Sequence, residues 1–283
     1  HAAAEFDHVI RIIRNCAGNK VRLETLFLLA GTTAFTCGTP QTPQTQPPSR
    51  HFGKASGPVM SRHCTRPPIV VTRVPFKKIK ATVILLHGLY NEGSSFDKLA
   101  DELAQLGCKV VAPSAPLRRL HWSTDNEETY AWYDYYTKRD GEDQHDIINT
   151  RHLQQECDYI LDIVQEYHAA GTTLILGGCS QGGTLVYHIV ATAMLPQLTA
   201  AMVSRSCFLH TLVPTITPMD IDFLVFSAGA DEVYCQTLRK QALNHLTHNN
   251  NINLTEKYKA GLLHGSSSQT EHTNFVEFVK LNL

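Results

Sequence analysis

No stretch of this 283-residue chain holds about 18 consecutive apolar residues, so the sequence predicts no membrane-spanning helix. The chain also lacks an excess of either charge, since 25 lysines and arginines stand against 26 aspartates and glutamates. Without a net positive field, no general attraction to nucleic acid or to an anionic membrane is expected. The P-loop motif and the H-E-x-x-H motif of zinc enzymes are both absent.

Cysteine is present but lacks a metal-binding or redox pattern. The eight cysteines are irregularly spaced and none forms a C-x-x-C pair, so a zinc site and a thioredoxin-like centre have no support. Cys108, Cys179 and Cys207 lie in or beside predicted strands, where reduced cysteine behaves as a small apolar residue. We therefore expect a reducing compartment and a cytoplasmic protein.

Residues 1–67 differ from the rest and are expected to be an N-terminal extension, partly disordered. Residues 39–59 are rich in Pro, Gly, Thr, Gln and Ser, which bury too little apolar surface to offset ordering. Residues 1–6 resemble a cloning remnant and the first methionine is Met60, so part of the extension is expected to be non-native. The alternative is that residues 7–37 are a basic or signal-like targeting segment, which makes the protein peripheral to a membrane or secreted.

The pattern becomes regular from residue 68 and predicts an α/β domain over residues 68–283. Strand-like and helix-like runs alternate, which indicates a mainly parallel sheet with helices on both faces. The predicted strands are residues 69–71, 82–86, 109–112, 173–176, 200–203, 222–226 and 253–258. The predicted helices are residues 94–106, 145–167, 184–194, 236–246 and 270–281.

The turn after predicted strand 173–176 carries Gly178-x-Ser180-x-Gly182 and leads into a predicted helix. A serine in this context sits on a sharp elbow, with its hydroxyl lifted above the edge of the sheet. Side chains in place of the two glycines would crowd the elbow. Ser180 is therefore the candidate nucleophile, and the neighbouring Cys179 is interpreted as a small residue that fills the elbow.

Two partners for Ser180 follow from the rule that functional groups gather where parallel strands end at their carboxyl edge. Asp231 follows predicted strand 222–226, whereas Asp222 begins that strand at the opposite edge. Among 15 histidines, His264 directly follows the last predicted strand. The order serine, acid, histidine is that of an α/β hydrolase. The imidazole takes the serine proton, and the carboxylate fixes the imidazole tautomer.

Two backbone N–H groups are needed to stabilise the oxyanion that forms during acyl transfer. The residue after the nucleophile, Gln181, is expected to supply one of them. The loop after predicted strand 82–86 is expected to supply the other, for which we predict Leu89. His87 lies in the same loop, and it is interpreted as structural because the order assigns the base to His264.

Six segments carry a more specific pattern, in this order: L-L-H-G-L at 85–89, A-P-S-A-P-L-R at 112–118, A-W-Y-D at 131–134, L-G-G-C-S-Q-G-G at 176–183, G-x-D-x-V at 229–233 and G-L-L-H at 261–264. As a set they resemble the acyl-protein thioesterase/lysophospholipase branch of the phospholipase–carboxylesterase family. The resemblance covers about residues 80–283 and implies an α/β-hydrolase fold. It implies cleavage of thioester or oxyester bonds to fatty acyl groups by Ser180, Asp231 and His264, without metal or cofactor.

The chain departs from the family pattern at Tyr90-Asn91, where Gly-Asp is usual. In the family, the region that corresponds to residues 118–144 helps to line the acyl channel. The resemblance therefore implies substrate contacts from Trp132 and Tyr133, with ordinary core packing as the alternative. Because this region is acidic and rich in tyrosine, the acyl class is left open.

Three functions follow from these residues. The first is a hydrolase of S-acylated proteins or lysophospholipids that has no nucleic-acid partner, makes at most peripheral membrane contact and is a monomer or weak homodimer. The second is a small-molecule carboxylesterase with a more open or polar pocket. The third is a hydrolase-fold binding protein without catalysis, against which the intact Ser180, Asp231 and His264 argue.

Overall fold

The computed structural model describes residues 66–121, 123, 127–136, 148–207, 217–247 and 252–283. They belong to one of two compact units of the chain, His63–Leu283. The predicted N-terminal extension lies outside the described residues apart from Arg66 and Pro67, so the boundary near residue 68 stays a prediction.

The centre of the described unit is a seven-stranded sheet in the order β1-β3-β2-β6-β7-β8-β9, and β4 and β5 form a separate antiparallel ribbon. The strands are β1 Ile69–Thr72, β2 Ala81–Leu86, β3 Cys108–Ala112, β4 Leu117–Arg119, β5 Glu128–Tyr130, β6 Thr173–Cys179, β7 Ala200–Ser204, β8 Ile221–Ala228 and β9 Ile252–Lys259. Edge strand β1 pairs antiparallel with β3, and all other neighbours in the large sheet are parallel. The predicted mainly parallel sheet is confirmed.

Helices cover both faces of this sheet. They are α1 Asp97–Gln105, α2 Thr150–Tyr167, α3 Gln181–Ala191, α4 Gln236–Thr247 and α5 Gln269–Leu281, with short 3₁₀ turns at Phe76–Lys78 and Gly93–Phe96. Alternate residues of β2 enter different apolar clusters: Ile84 packs with α2, α3 and α4, whereas Val83 packs with α1 and α5. Because successive strand residues point to opposite faces, the two clusters are the two sides of the sheet. No helix in the described part of the chain is long and apolar enough to cross a membrane.

Helix α2 begins later than its apolar pattern predicts. Asn149 is extended, and its side-chain oxygen accepts a hydrogen bond from the His152 N–H at 3.1 Å, so it caps a helix that begins at Thr150. Ile148, placed on the helix by its apolar character, instead forms an isolated bridge with Tyr135. The prediction of helix at Ile148 is therefore wrong, because the Asn149 cap fixes the start and a long-range pairing takes the preceding residue.

A buried cluster of charged side chains joins α2 to two other segments of the chain, one before β1 and one in β4. The Glu156 carboxylate on α2, only 5% exposed, accepts from Arg66 at 2.5 Å and from Arg118 at 2.6 Å. Arg118 also donates to the Ala131 carbonyl at 3.0 Å. Since a buried carboxylate that loses its partner is strongly destabilising, these arginines hold the segments before β1 and around β4 against α2.

Gly182 provides a test of the close approach between α3 and β2. A Cβ at Gly182 would lie 2.3 Å from the Leu86 carbonyl oxygen and 2.5 Å from the His87 carbonyl oxygen. Because both obstacles are backbone, we expect Gly182→Ala to lower the free energy of unfolding by about 3 kcal/mol, measured by urea denaturation. Gly171→Ala is the control, since nothing lies within 4 Å of a Cβ there and only its φ of +77° opposes alanine. Equal losses in the two variants would contradict the steric account.

Candidate active site

The carboxyl edge of the parallel strands brings together the loops that carry the predicted site residues. The order β2-β6-β7-β8-β9 places the loop after β2 beside Ser180, followed by the loops after β7, β8 and β9. Asp231 follows β8, and His264 follows β9. Ser180 and His264 are 84 residues apart in sequence, so it is the strand order that makes them neighbours.

Ser180 occupies a strained elbow between β6 and α3. Its φ of 51° and ψ of −121° lie where non-glycine residues are rare, and such strain persists only where surrounding structure fixes the backbone. The fixing contacts are visible: the Ser180 N–H donates to the Ser204 carbonyl at 2.9 Å, and the Ser180 carbonyl accepts from the Ser206 hydroxyl at 2.9 Å. A Cβ at Gly178 would lie 2.6 Å from the Gly182 backbone, so the elbow closes only on glycine. The hydroxyl is thereby presented at the sheet edge.

The three predicted triad residues form a connected chain of hydrogen bonds. The Ser180 Oγ lies 2.8 Å from the His264 Nε2. The His264 Nδ1 lies 3.1 Å from each carboxylate oxygen of Asp231. The Asp231 side chain is only 5% exposed and that of His264 only 16%, so the hydrogen bonds that join the hydroxyl, the imidazole and the carboxylate are largely shielded from water. This arrangement suits a serine nucleophile with an imidazole base.

The environment of Asp231 keeps its carboxyl ionised. Burial opposes the charge and is the largest single effect on the pKa, but the hydrogen bond and charge of His264 and two backbone N–H donors together outweigh it and lower the pKa of Asp231 below its ordinary value. The N–H groups of Tyr234 and Val233 donate to the same carboxylate at 2.8 and 3.0 Å and act in the same direction. A carboxylate that accepts from backbone donors and from an imidazole is held both in position and in charge.

The loop after β2 lies directly against Ser180. A Cβ at Gly88 would be 3.2 Å from the Ser180 Cβ. The next N–H, that of Leu89, makes no hydrogen bond with any described residue. Gln181 is the first residue of α3, where N–H groups have no acceptor within the helix. Both predicted oxyanion donors therefore flank the nucleophile, and their role stays a prediction.

The departure at Tyr90-Asn91 leaves the loop in a turn that usually favours glycine. Tyr90 has a φ of 68°, in the left-handed region. Its N–H donates to the Tyr130 carbonyl on β5 at 3.1 Å, and the Asn91 N–H donates to the Gly88 carbonyl at 3.2 Å. These two bonds hold the turn without glycine at its centre.

Trp132 and Tyr133 lie beneath this loop rather than on an open surface, with exposures of 0% and 1%. The Trp132 indole N–H donates to the His87 carbonyl at 2.8 Å, and its ring lies 5.0 Å from the His87 ring. Burial to this extent favours the packing alternative, and the contact with substrate stays a prediction.

The side chain of Gln181 has a structural task that sequence reasoning missed. Its Oε1 accepts from the Trp132 N–H at 2.8 Å, and its Nε2 donates to the Tyr133 carbonyl at 2.7 Å. The amide therefore joins the elbow to the segment under the oxyanion loop. Gln181 and the A-W-Y-D segment both belong to the set of segments that carries the family resemblance, which was the one available signal for this contact. The two partners are 49 residues apart, so no local pattern shows that they touch.

His87 and Cys179 are both excluded as reacting groups by their surroundings. The His87 Nδ1–H donates to the Gly88 carbonyl at 2.7 Å, and its Nε2 accepts from the Ala115 N–H at 2.9 Å, which uses both ring nitrogens. Burial lowers the pKa of His87 to about 4, in agreement with its interpretation as structural. Burial raises the pKa of the Cys179 thiol to about 11, so it is protonated at neutral pH and is a poor nucleophile.

No cluster of three or more His, Cys, Asp or Glu side chains that could hold a metal ion occurs among the residues that the structure describes.

The buried His87 predicts a specific pH dependence of stability. The folded protein holds His87 neutral down to about pH 4, whereas the unfolded chain protonates it near its ordinary pKa of 6.5. Its contribution is therefore complete above pH 6.5 and is lost as the pH falls toward 4. The shift corresponds to about 3 kcal/mol.

We expect urea denaturation at pH 7, 5.5 and 4.5 to show a steeper loss for the wild type than for His87→Gln, which keeps an acceptor for Ala115 but does not titrate. Parallel curves for the two proteins would show that His87 is not the titrating group.

Comparisons with known proteins show the family and the fold of this chain. The model of the phospholipase/carboxylesterase family matches residues 68–283. The structure of acyl-protein thioesterase 2 from Zea mays is similar with a TM-score of 0.63 at 19% identity, over 76% of this chain and 98% of that one. The structure of SOBER1 from Arabidopsis thaliana is similar with a TM-score of 0.59 at 19% identity, over 71% of this chain and 98% of that one. The structure of a Bacillus cereus carboxylesterase is similar with a TM-score of 0.62 at 12% identity, over 77% of this chain and 95% of that one. At these identities the likeness shows the shared α/β-hydrolase fold.

Proposed function

The chain belongs to the phospholipase/carboxylesterase family and is a serine hydrolase with the α/β-hydrolase fold, and on this premise we propose that Ser180, His264 and Asp231 are its catalytic triad. The observation that carries the proposal is the 2.8 Å contact between the Ser180 Oγ, on its strained elbow, and the His264 Nε2. A general base must lie within about 2.6–3.2 Å of the atom that carries the proton it removes, and this contact satisfies that requirement.

In the proposed reaction, His264 takes the proton of Ser180 while the Ser180 Oγ attacks the acyl carbonyl carbon. The carbonyl oxygen becomes an oxyanion, which the N–H groups of Leu89 and Gln181 stabilise. His264 then gives the proton to the departing thiol or alcohol, which leaves an acyl ester on Ser180. A water molecule that loses a proton to His264 attacks this ester, and the carboxylic acid leaves as Ser180 recovers its proton.

Asp231 contributes without taking the proton itself. Its lowered pKa keeps it negative throughout the cycle, so it stabilises the imidazolium form of His264. Its contact with Nδ1 also leaves Nε2 as the nitrogen that faces Ser180.

The proposed substrates are fatty acyl thioesters of proteins or esters of lysophospholipids. This choice is supported by the resemblance of six ordered segments and by the similarity to acyl-protein thioesterase 2 over nearly its whole length. A small-molecule carboxylesterase is the second candidate, because the Bacillus cereus carboxylesterase matches with a TM-score of 0.62, almost the same value.

Ser180→Ala tests the nucleophile. We expect the wild type to react covalently with a fluorophosphonate probe and Ser180→Ala not to react, because the attacking oxygen is gone. Its kcat on a p-nitrophenyl ester should fall about 10⁶-fold. Ser95→Ala, at an exposed serine, is the control and should label like the wild type. Equal labelling of Ser180→Ala and wild type would remove Ser180 from the mechanism.

Substrate length separates the two candidate functions. We expect kcat/KM for p-nitrophenyl esters to rise from acetate toward long acyl chains, and an S-palmitoylated peptide to be cleaved with release of free thiol. The Ser180→Ala protein measures the uncatalysed background. A steep fall beyond short chains, with no cleavage of the palmitoyl peptide, would favour the carboxylesterase.

A further inference from the structure

Arg205 stands directly behind the candidate base, at the end of β7. Its backbone N–H donates to the Phe226 carbonyl on β8 at 3.0 Å, and its φ is 46°. The residue therefore turns sharply out of the sheet at the carboxyl edge, between the loop of Ser180 and the loop of Asp231. Its side chain is only 15% exposed.

The guanidinium of Arg205 binds the backbone of the loop that carries the base. One terminal nitrogen donates to the His264 carbonyl at 2.6 Å and to the Ser266 carbonyl at 2.9 Å. On the other side of the same residue, the His264 N–H donates to the Glu232 carboxylate at 2.8 Å. Charged side chains therefore hold both peptide groups of His264, and charge-assisted hydrogen bonds are about twice as strong as neutral ones.

Arg205 is itself anchored to rigid elements. Its other terminal nitrogen lies 3.1 Å from the Glu271 carboxylate on α5 and donates to the Cys179 Sγ at 3.2 Å. The Ser204 hydroxyl donates to the same Glu271 oxygen. Because Glu271 is only 10% exposed, this ion pair is poorly screened by water. The guanidinium thus links β6, α5 and the base loop at fixed distances.

The contact with Asp231 does not by itself determine where the imidazole lies. Both Asp231 oxygens are 3.1 Å from the His264 Nδ1, so this contact favours neither oxygen and leaves the tilt of the ring to other contacts. Additional contacts must therefore select the ring position that brings Nε2 to 2.8 Å from the Ser180 Oγ. The bonds from Arg205 to the His264 and Ser266 carbonyls are suited to this task.

Backbone strain points to the same place. Among the described residues, four that are not glycine have a positive φ: Tyr90, Ser180, Ala193 and Arg205. Tyr90, Ser180 and Arg205 lie at the carboxyl edge, beside the candidate site. Strain of about 1–3 kcal/mol per residue is retained mainly where function requires the geometry. Arg205 therefore keeps a strained backbone beside the candidate site, as Ser180 does.

We propose that Arg205 is a positioning residue, which holds the base loop through the His264 and Ser266 carbonyls so that the imidazole meets Ser180. The proposal rests on the catalytic triad stated above and adds a residue outside it. Arg205 touches no reacting atom, and it acts on the rate through the placement of His264.

Arg205→Ala, Arg205→Lys and the control Arg66→Ala test this proposal. Arg66 is a suitable match, because its side chain is 26% exposed, pairs with the buried Glu156 and donates to one backbone carbonyl, that of Ser114. We expect similar losses of melting temperature in the two alanine variants. Only Arg205→Ala should lose kcat, by about 10²-fold, because a small misplacement of a catalytic group has an effect of that size. KM should stay within about twofold, since ground-state binding is untouched.

Chemical rescue separates positioning from general structural support. Free guanidinium at a sub-denaturing concentration should restore part of the kcat of Arg205→Ala, and urea at the same concentration should not. Arg205→Lys should retain an intermediate kcat, because it keeps the charge but loses the planar fork.

The proposal is overturned if Arg205→Ala keeps the wild-type kcat, if its loss of kcat equals that of Arg66→Ala, or if guanidinium restores nothing. A fully active Ser180→Ala variant would instead overturn the triad and this proposal together, so the two failures are distinguishable.

Discussion

The backbone of the elbow after β6 touches the end of β2, and this approach leaves no room for a side chain. A Cβ at Gly182 would overlap the Leu86 and His87 carbonyls, and one at Gly178 would overlap the backbone of Gly182. With both glycines in place, α3 begins immediately after Ser180 and leaves the serine at a positive φ. The same contact brings the loop of Leu89 over the nucleophile. One steric constraint therefore determines both the backbone conformation of Ser180 and the position of the loop that carries Leu89.

The order of the parallel strands converts this local geometry into a site. Because β7 separates β6 from β8, the loop after β7 lies between Ser180 and Asp231, and Arg205 occupies that position. The base lies at the same carboxyl edge, on the loop after β9, which is the last strand in the sheet order. Backbone hydrogen bonds join this loop to the loop after β8, as in the bond from the Ala230 N–H to the Leu262 carbonyl at 2.9 Å. The charged contacts from Arg205 and Glu232 add bonds to the His264 backbone itself.

Much of this could be predicted from sequence because the signals are local. The apolar runs locate the seven strands of the large sheet to within three residues, and Gly178-x-Ser180-x-Gly182 identifies the elbow. The rule of the carboxyl edge selects His264 from 15 histidines. The start of α2 was misplaced because Ile148 is apolar yet pairs with Tyr135, a contact that no local pattern reveals.

The sequence by itself determined the fold class, the elbow and the identities of the three candidate triad residues. Apolar strand runs, glycine spacing and the order of residues along the chain can all be read directly from the sequence. The tertiary structure decided which polar groups support them. The Gln181 amide reaches Trp132 across 49 residues, and Arg205 reaches His264 across 59. Such contacts depend on the register and order of strands, and neither residue belongs to a motif that marks its side chain as a partner. The physical reason is that a hydrogen bond requires its donor and acceptor to be close in space, whereas a sequence gives only their separation along the chain.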